Sequence, residues 1–153
     1  MEGIKDDLYD YKFMCLNGKV EFIWVDVNRF VDHRRNLYDT EWNLLSDKLH
    51  WKNSDEPVPK PEKLDMLINL SEKLAKDFAC VRCDFYILPD GTVKFGELTF
   101  TSASGIDVWN PEAANLKFGE KLILPQPKPF KKLSKKDIVK SEQAFLKELN
   151  GGS

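Results

Sequence analysis

The sequence lacks several features that would place it in a specialised class of proteins. Its 153 residues contain no apolar run near the roughly 18 residues that a membrane span needs. Residues 1–7 show no hydrophobic core of a signal peptide. The net charge is −2 and the pI is about 5.8, so no basic excess favours a nucleic-acid partner. These absences predict a soluble, cytoplasmic protein with no membrane span and no nucleic acid bound.

Cysteine is also scarce. The three cysteines are Cys15, Cys80 and Cys83, and an odd number without a secretion signal indicates reduced thiols. The spacing of Cys80 and Cys83 occurs in redox motifs at helix amino termini, but here it leads into a predicted strand. A zinc site would need four ligands, and the sequence around Cys80 and Cys83 supplies no histidine to complete the set. We therefore predict that these cysteines are structural.

What the sequence does contain is two β-rich runs on either side of Leu88–Gly91. Proline presets φ for a turn, aspartate bonds to its own backbone, and glycine accepts a positive φ. This segment is therefore predicted to be a hairpin turn, and the residues from 80 to 101 are predicted to form its two strands.

The register of this hairpin decides which side chains meet. Side chains alternate along a strand, so Arg82 and Asp84 share a face. A four-residue loop over 88–91 sets residue 84 opposite residue 95 and residue 82 opposite Glu97, which puts both carboxylates on one face. A three-residue loop with a glycine bulge would put Asp84 and Glu97 on opposite faces.

Two carboxylates beside an arginine suit a nucleotide carrying Mg²⁺. This ion takes one or two protein carboxylates and completes its octahedron with water and phosphate oxygens. An arginine beside it can stabilise a phosphoryl group during transfer. The alternative is a solvated polar face of an antiparallel sheet with one incidental pair between Arg82 and Asp84.

These motifs resemble the end of the ATP-grasp fold, which reads Arg-x-Asp-Phe, a turn, Glu-x-Asn and a loop of small residues. The corresponding residues here are 82–85, 97–99 and 101–105. The sequence is most similar to the TupA-like ATP-grasp family, associated with teichuronopeptide and other cell-surface polysaccharide synthesis. The resemblance spans most of residues 9–124. Thr99 stands where most ATP-grasp enzymes have a metal-binding asparagine, and Ser102 where many have proline.

The resemblance implies ATP-dependent ligation of a carboxylate to an amine through an acyl phosphate, with Mg²⁺ and ATP as cofactors. It implies an amino-acid or polysaccharide acceptor. Asp84 and Glu97 are expected to bind the metal, and Arg82 to steady the acyl phosphate. The other implied site residues are Thr99 near the metal, Ser104 and Gly105 at the acceptor, Lys12 at the nucleotide, and Arg34 and Arg35 at phosphate or carboxylate groups.

Two of these assignments have open alternatives. Arg34 and Arg35 belong to a dense cationic cluster, and paired arginines can hold anions with bidentate geometry. The cluster could equally be a solvated turn that pairs with nearby aspartates. Lys12 could equally be a surface lysine that lays its stem along apolar side chains.

The predicted fold class is α+β: an antiparallel sheet with helices on one side, like the C-terminal portion of an ATP-grasp fold. Asn17–Gly18 predicts a hairpin between strands 10–16 and 19–27, and apolar spacing predicts a helix over 61–78. Residues 1–124 form the ATP-grasp-like part. Residues 125–133 are a proline- and lysine-rich spacer, and 134–150 are predicted to be an amphipathic helix.

The sequence contains no glycine-rich loop of the kind that covers the triphosphate in this fold. Members of the family are longer, so a missing N-terminal segment or a partner chain is expected to supply it. We expect the chain alone to be inactive. The alternative function is a non-catalytic half-domain that binds a glycan or a partner chain.

Overall fold

A five-stranded antiparallel sheet organises residues 8–126, the part of the chain that the computed structural model describes. The strand order is β3-β2-β1-β5-β6. The strands are β1 (Asp10–Leu16), β2 (Lys19–Val27), β3 (Arg34–Tyr38), β4 (Lys48–Leu49), β5 (Cys80–Ile87), β6 (Val93–Thr99) and β7 (Trp109–Asn110). Strands β4 and β7 pair separately, and the two helices are α1 (Leu64–Ala75) and α2 (Ala113–Gly119).

The hairpin between β1 and β2 confirms the prediction from Asn17–Gly18. Both turn residues have positive φ, 51° at Asn17 and 78° at Gly18, which is the geometry of a type I′ turn. Strands β1 and β2 have the predicted bounds. Their pairing sets Asp10 opposite Asp26 and Lys12 opposite Trp24, which brings these residues of two strands onto one face.

The register predicted for the hairpin between β5 and β6 is wrong. Ile87 pairs with Val93, so the loop holds five residues, 88–92, rather than four. Backbone hydrogen bonds from Leu88 to Thr92 and from Gly91 to Leu88 close this longer loop. As a result, Phe95 lies opposite Phe85 and not opposite residue 84.

A β-bulge restores the shared face that the predicted register was meant to provide. Gly96 and Glu97 together lie opposite Asp84, so beyond them Arg82 pairs with Thr99. A Cβ atom at Gly96 would lie 3.1 Å from the Asp84 carbonyl oxygen and 3.3 Å from the Tyr86 ring. Glycine therefore allows the two strands to approach at the bulge, and Glu97 turns to the face of Arg82 and Asp84.

One face of the sheet packs against α1 and forms the main core. The helix is shorter than predicted, and Leu64 donates to the Pro61 carbonyl in the turn before it. Leu74 and Phe78 belong to the apolar spacing that predicted this helix, and each is 38% exposed. The fully buried core residues on this side include Phe13, Cys15, Ile23, Val25, Leu67, Ala75, Val81 and Cys83.

The opposite face is divided between an aromatic cluster and a charged surface. Helix α2 packs here, with the Phe118 ring centroid 4.5 Å from that of Phe22. The buried members of the cluster are Phe22, Trp24, Leu37, Leu49, Ala114 and Phe118. The α+β class with an antiparallel sheet is confirmed, with α1 and α2 on different faces.

Within residues 8–126, no helix is long and apolar enough to cross a membrane.

A single 3₁₀ turn, Ser102–Gly105, follows β6, and its residues Ala103, Ser104 and Gly105 all have positive φ. The predicted helix over 134–150 and most of the predicted spacer over 125–133 lie outside the described residues.

Candidate functional site

A charged cavity lies on the sheet face opposite α1, where β1, β5 and β6 run side by side. Its volume is about 350 Å³. Successive side chains of a strand point to opposite faces, so every second residue of β1 and β5 points into the cavity. The lining residues are Asp10, Lys12, Arg29, Arg82, Asp84, Tyr86, Gly96 and Glu97. The structure therefore brings together four of the predicted site residues: Lys12, Arg82, Asp84 and Glu97.

Arg82 is the centre of this cavity. Its Nε and Nη2 atoms donate to the two oxygens of Asp84 at 2.7 and 2.6 Å, and Nη2 also donates to Glu97 Oε1 at 3.0 Å. The Thr99 hydroxyl donates to the same Glu97 oxygen at 2.9 Å. Asp84 is buried, whereas the Glu97 side chain is 63% exposed. One arginine thus joins a buried carboxylate to an exposed one.

Lys12 is buried between three carboxylates, which contradicts its interpretation as a surface lysine. Its ammonium group contacts Asp10 directly and lies 3.7 Å from Asp26 and 3.6 Å from Asp84. Arg29 donates to the same Asp10 oxygen at 2.6 Å. Because opposite charges surround it, burial of Lys12 in its charged form is compensated.

Arg34 and Arg35 are neighbours in β3, so their side chains point to opposite faces of the sheet. Arg35 lies on the site face and donates to both oxygens of the buried Asp26, at 2.6 and 3.1 Å. His33 Nε2 lies 3.1 Å from the same carboxylate. Arg34 points away and pairs with exposed Asp32 at 2.7 Å. The structure therefore places Arg35 beside the site and leaves Arg34 outside it.

The indole of Trp24 connects the two arginines of the site face. The guanidinium carbons of Arg35 and Arg82 lie 5.1 and 5.4 Å from the centre of its ring, close enough for cation–π attraction. Trp24 is fully buried. Ser102 accepts a hydrogen bond from Arg82 Nη1 at 3.0 Å and donates to Asp107 at 3.2 Å. The loop after β6 is thus attached to the same network.

The pKa values of two buried aspartates on this face, Asp26 and Asp84, are shifted in opposite directions. Burial raises the pKa of Asp84, and the opposing effects of Arg82 and Lys12 do not cancel it. Burial also raises the pKa of Asp26. The hydrogen bonds and charge of Arg35, together with the charge of Lys12, outweigh burial and bring this pKa below its ordinary value. Burial opposes the charge of Arg82, yet its bonds to Asp84 raise the pKa of that guanidinium.

Mg²⁺ is the metal that the donor types here would accept. Two carboxylates from neighbouring strands, Asp84 and Glu97, face one cavity, which is the number of carboxylates that Mg²⁺ commonly takes. A third cavity carboxylate, Asp10, has a buried oxygen, Oδ1, with no hydrogen-bond partner. Within residues 8–126, no group of three or more His, Cys, Asp or Glu side chains forms a ready metal cluster. The donor set fits an ion that completes its shell with water and phosphate.

The remaining predicted residues lie at the edge of this site. Ser104 and Gly105 are exposed in the turn after β6, and it is Ser102 whose side chain reaches Arg82. Sequence reasoning missed Asp10, Asp26, Arg29, Trp24 and Ser102 as members of the site. Asp10 could have been found, since it lies two residues before Lys12 on one strand.

The three cysteines are free, in agreement with the prediction of structural thiols. Cys83 is buried on the α1 face, away from the charged cavity. Burial raises the pKa of Cys80, which is the opposite of what a reactive thiol requires.

A family model described as TupA-like ATPgrasp matches residues 2–123. No curated protein and no solved structure matches the chain.

Proposed function

Since the chain belongs to the TupA-like ATP-grasp family, we propose that it acts in ATP-dependent ligation of a carboxylate to an amine. The observation that carries this proposal is Arg82, which is bonded to both Asp84 and Glu97 on the wall of a polar cavity. The family match supports an ATP-grasp ligase-type function. The proposed setting is the synthesis of teichuronopeptide or another cell-surface polysaccharide, in the cytoplasm, with an amino-acid or polysaccharide acceptor.

Asp84 and Glu97 would hold Mg²⁺, with Thr99 assisting through its bond to Glu97. When bound, Mg²⁺ neutralises charge on phosphate oxygens. Arg82 has four N–H groups in use, two toward Asp84, one toward Glu97 and one toward Ser102. It can therefore exchange one carboxylate for a phosphate oxygen while its other bonds keep it in the cavity. That exchange would orient the phosphoryl group, and it would free a carboxylate oxygen for Mg²⁺.

Lys12 and Arg29 supply further positive charge to the cavity wall. Lys12 is held by three carboxylates, so its ammonium group has a defined position. We assign it to the nucleotide phosphates. Arg35 is assigned to positioning Asp26, because both of its side-chain hydrogen bonds go to that carboxylate. Arg34 has no role in this proposal.

Calorimetric titration of the chain with ATP, in the presence and absence of Mg²⁺, tests the proposal. Glu97→Gln keeps the size of the side chain, and Glu97 is exposed, so the variant should fold. We expect it to weaken binding of Mg·ATP by about tenfold, the effect of one charge-assisted contact. Glu112→Gln is the matched control on an exposed residue outside the cavity. Equal affinity of wild type and Glu97→Gln would refute the assignment.

A binding module without turnover is the second candidate function. The observation that favours it is that Arg82 already forms ion pairs with both Asp84 and Glu97. In that case Arg82 has a structural role and the cavity takes no nucleotide. The same titration separates the two candidates, since a module of this kind shows no heat of binding with Mg·ATP and no difference between the two variants.

A further inference from the structure

An apolar groove lies on the α1 face of the sheet, opposite the charged cavity. Its volume is about 410 Å³. Leu70, Lys73 and Leu74 of α1 form one wall, and Phe85, Val93 and Phe95 of the sheet form the other. Lys73 is the single charged residue of this lining. We call it the α1–β6 groove.

The groove opens at the edge of the sheet. Strand β6 pairs with β5 on one side only, and Phe95 is 54% exposed. Beyond the ends of α1 and β6, the exposed rings of Phe78 and Phe100 make an edge contact with centroids 5.0 Å apart. An exposed apolar patch beside a sheet edge is a typical docking surface. Within residues 8–126, no segment covers it.

The last part of the described chain is tied beside the C-terminal end of α1, the helix that forms one wall of the groove. Asn17 holds residues 121–123 through hydrogen bonds to Lys121 and Ile123, at 2.8 and 3.1 Å. The same asparagine donates its backbone N–H to Ala79, just after α1. The chain therefore leaves the described part beside the C-terminal end of α1. Residues 127–137 can span about 30 Å if extended, whereas the last two turns of α1 measure about 11 Å.

The remaining sequence contains a segment with a matching pattern. Between residues 138 and 149, helical spacing places all large apolar side chains within about 120° of the helix circumference. These residues are Ile138, Val139, Phe145, Leu146 and Leu149. Lys140 and Lys147 fall on the opposite side.

One charged residue, Glu142, falls inside the apolar stripe, at its centre. A carboxylate there would be costly to bury without a cation. The one charged residue lining the groove is a cation, Lys73. The stripe and the groove thus match in apolar character and in their single opposite charges.

We propose that residues 138–149 dock in the α1–β6 groove of the same chain as a helix, with Phe145 against the apolar wall and Glu142 beside Lys73. Docking in cis follows from the position where the described chain ends and from the length of residues 127–137. It would cover the edge of the sheet without approaching the charged cavity, which lies on the other face.

A charge exchange tests the pairing. In the full chain, amide hydrogen exchange of residues 138–149 reports docking. Lys73→Glu and Glu142→Lys should each lower protection by about two- to fivefold, and the double variant should restore it. Glu148→Lys makes the same charge change outside the stripe and should have no effect. A double variant no better than the singles, or an equal loss with Glu148→Lys, would overturn the pairing.

A second pair of variants tests the apolar contact. Phe145→Asp should lower protection of residues 138–149 by roughly tenfold or more, and should let an apolar fluorescent dye bind the groove. Lys147→Asp, on the opposite side, should do neither. Sedimentation at several protein concentrations identifies the occupant. Protection that rises with concentration together with dimer formation would show docking on a second copy and overturn docking in cis.

Discussion

Arg34 and Arg35 are chemically identical neighbours whose positions in β3 give them different surroundings. Arg35 is buried against Asp26 and Trp24, whereas Arg34 pairs with exposed Asp32. We expect Arg35→Ala to lower the free energy of unfolding by about 3 kcal/mol, because it leaves a buried carboxylate without its main partner. Arg34→Ala should change it little. Urea unfolding at neutral pH measures both, and equal losses would contradict the separation.

The opposite pKa shifts of Asp26 and Asp84 predict opposite pH dependences. The lowered pKa of Asp26 stabilises the fold above the ordinary value near 3.8, and this contribution is lost as the pH falls through the folded pKa. The raised pKa of Asp84 makes its ionised form unfavourable, and this cost disappears on acidification.

Unfolding curves between pH 7 and pH 3 test these signs. Wild type and Asp26→Asn should converge in stability as the pH falls below 3.8, whereas wild type should gain stability relative to Asp84→Asn as the pH falls from 7 toward 3.8. Asp26→Asn and Asp84→Asn are controls for each other, since both remove one buried carboxylate. Parallel slopes for the two variants would show that one shift has the wrong sign.

At the scale of the element, the bulge in β6 determines the site. Gly96→Ala should cost about 1–3 kcal/mol of unfolding free energy, because its Cβ would meet the backbone of Asp84. It should also weaken Mg·ATP binding by displacing Glu97. Gly119→Ala is the matched control, since nothing lies within 4 Å of its added Cβ. Loss of stability with unchanged nucleotide affinity would show that the bulge does not position Glu97.

At the scale of the whole molecule, the sheet separates an apolar face under α1 from a charged face. A nucleotide in the charged cavity would therefore be contacted from the sheet side. We expect the 153-residue chain to bind Mg·ATP without rapid turnover, since each missing preorganised contact lowers the rate about a hundredfold or more. An assay of ATP hydrolysis, with and without a chain carrying a glycine-rich loop, measures this. Robust turnover by the chain alone, abolished by Glu97→Gln, would contradict it.

Features that depend only on neighbouring residues could be predicted from the sequence. Asn17–Gly18 specifies its turn because asparagine and glycine tolerate positive φ, so the bounds of β1 and β2 were predictable. Arg82 and Asp84 share a face because they are two residues apart in one strand. The family was recognisable for the same reason, since its motifs are short and local.

Which strands pair, and in what register, depends on contacts between residues far apart in the sequence. The five-residue loop over 88–92 shifts the pairing of β5 with β6 by one residue relative to the predicted register. The bulge at Gly96 shifts it by one more residue, so Glu97 lies on the predicted face. Asp10, Asp26 and Trp24 join the site because β1 and β2 lie beside β5 and β3. Burial of Lys12 among three carboxylates depends on all these pairings. No local sequence pattern specifies how far apart two strands lie.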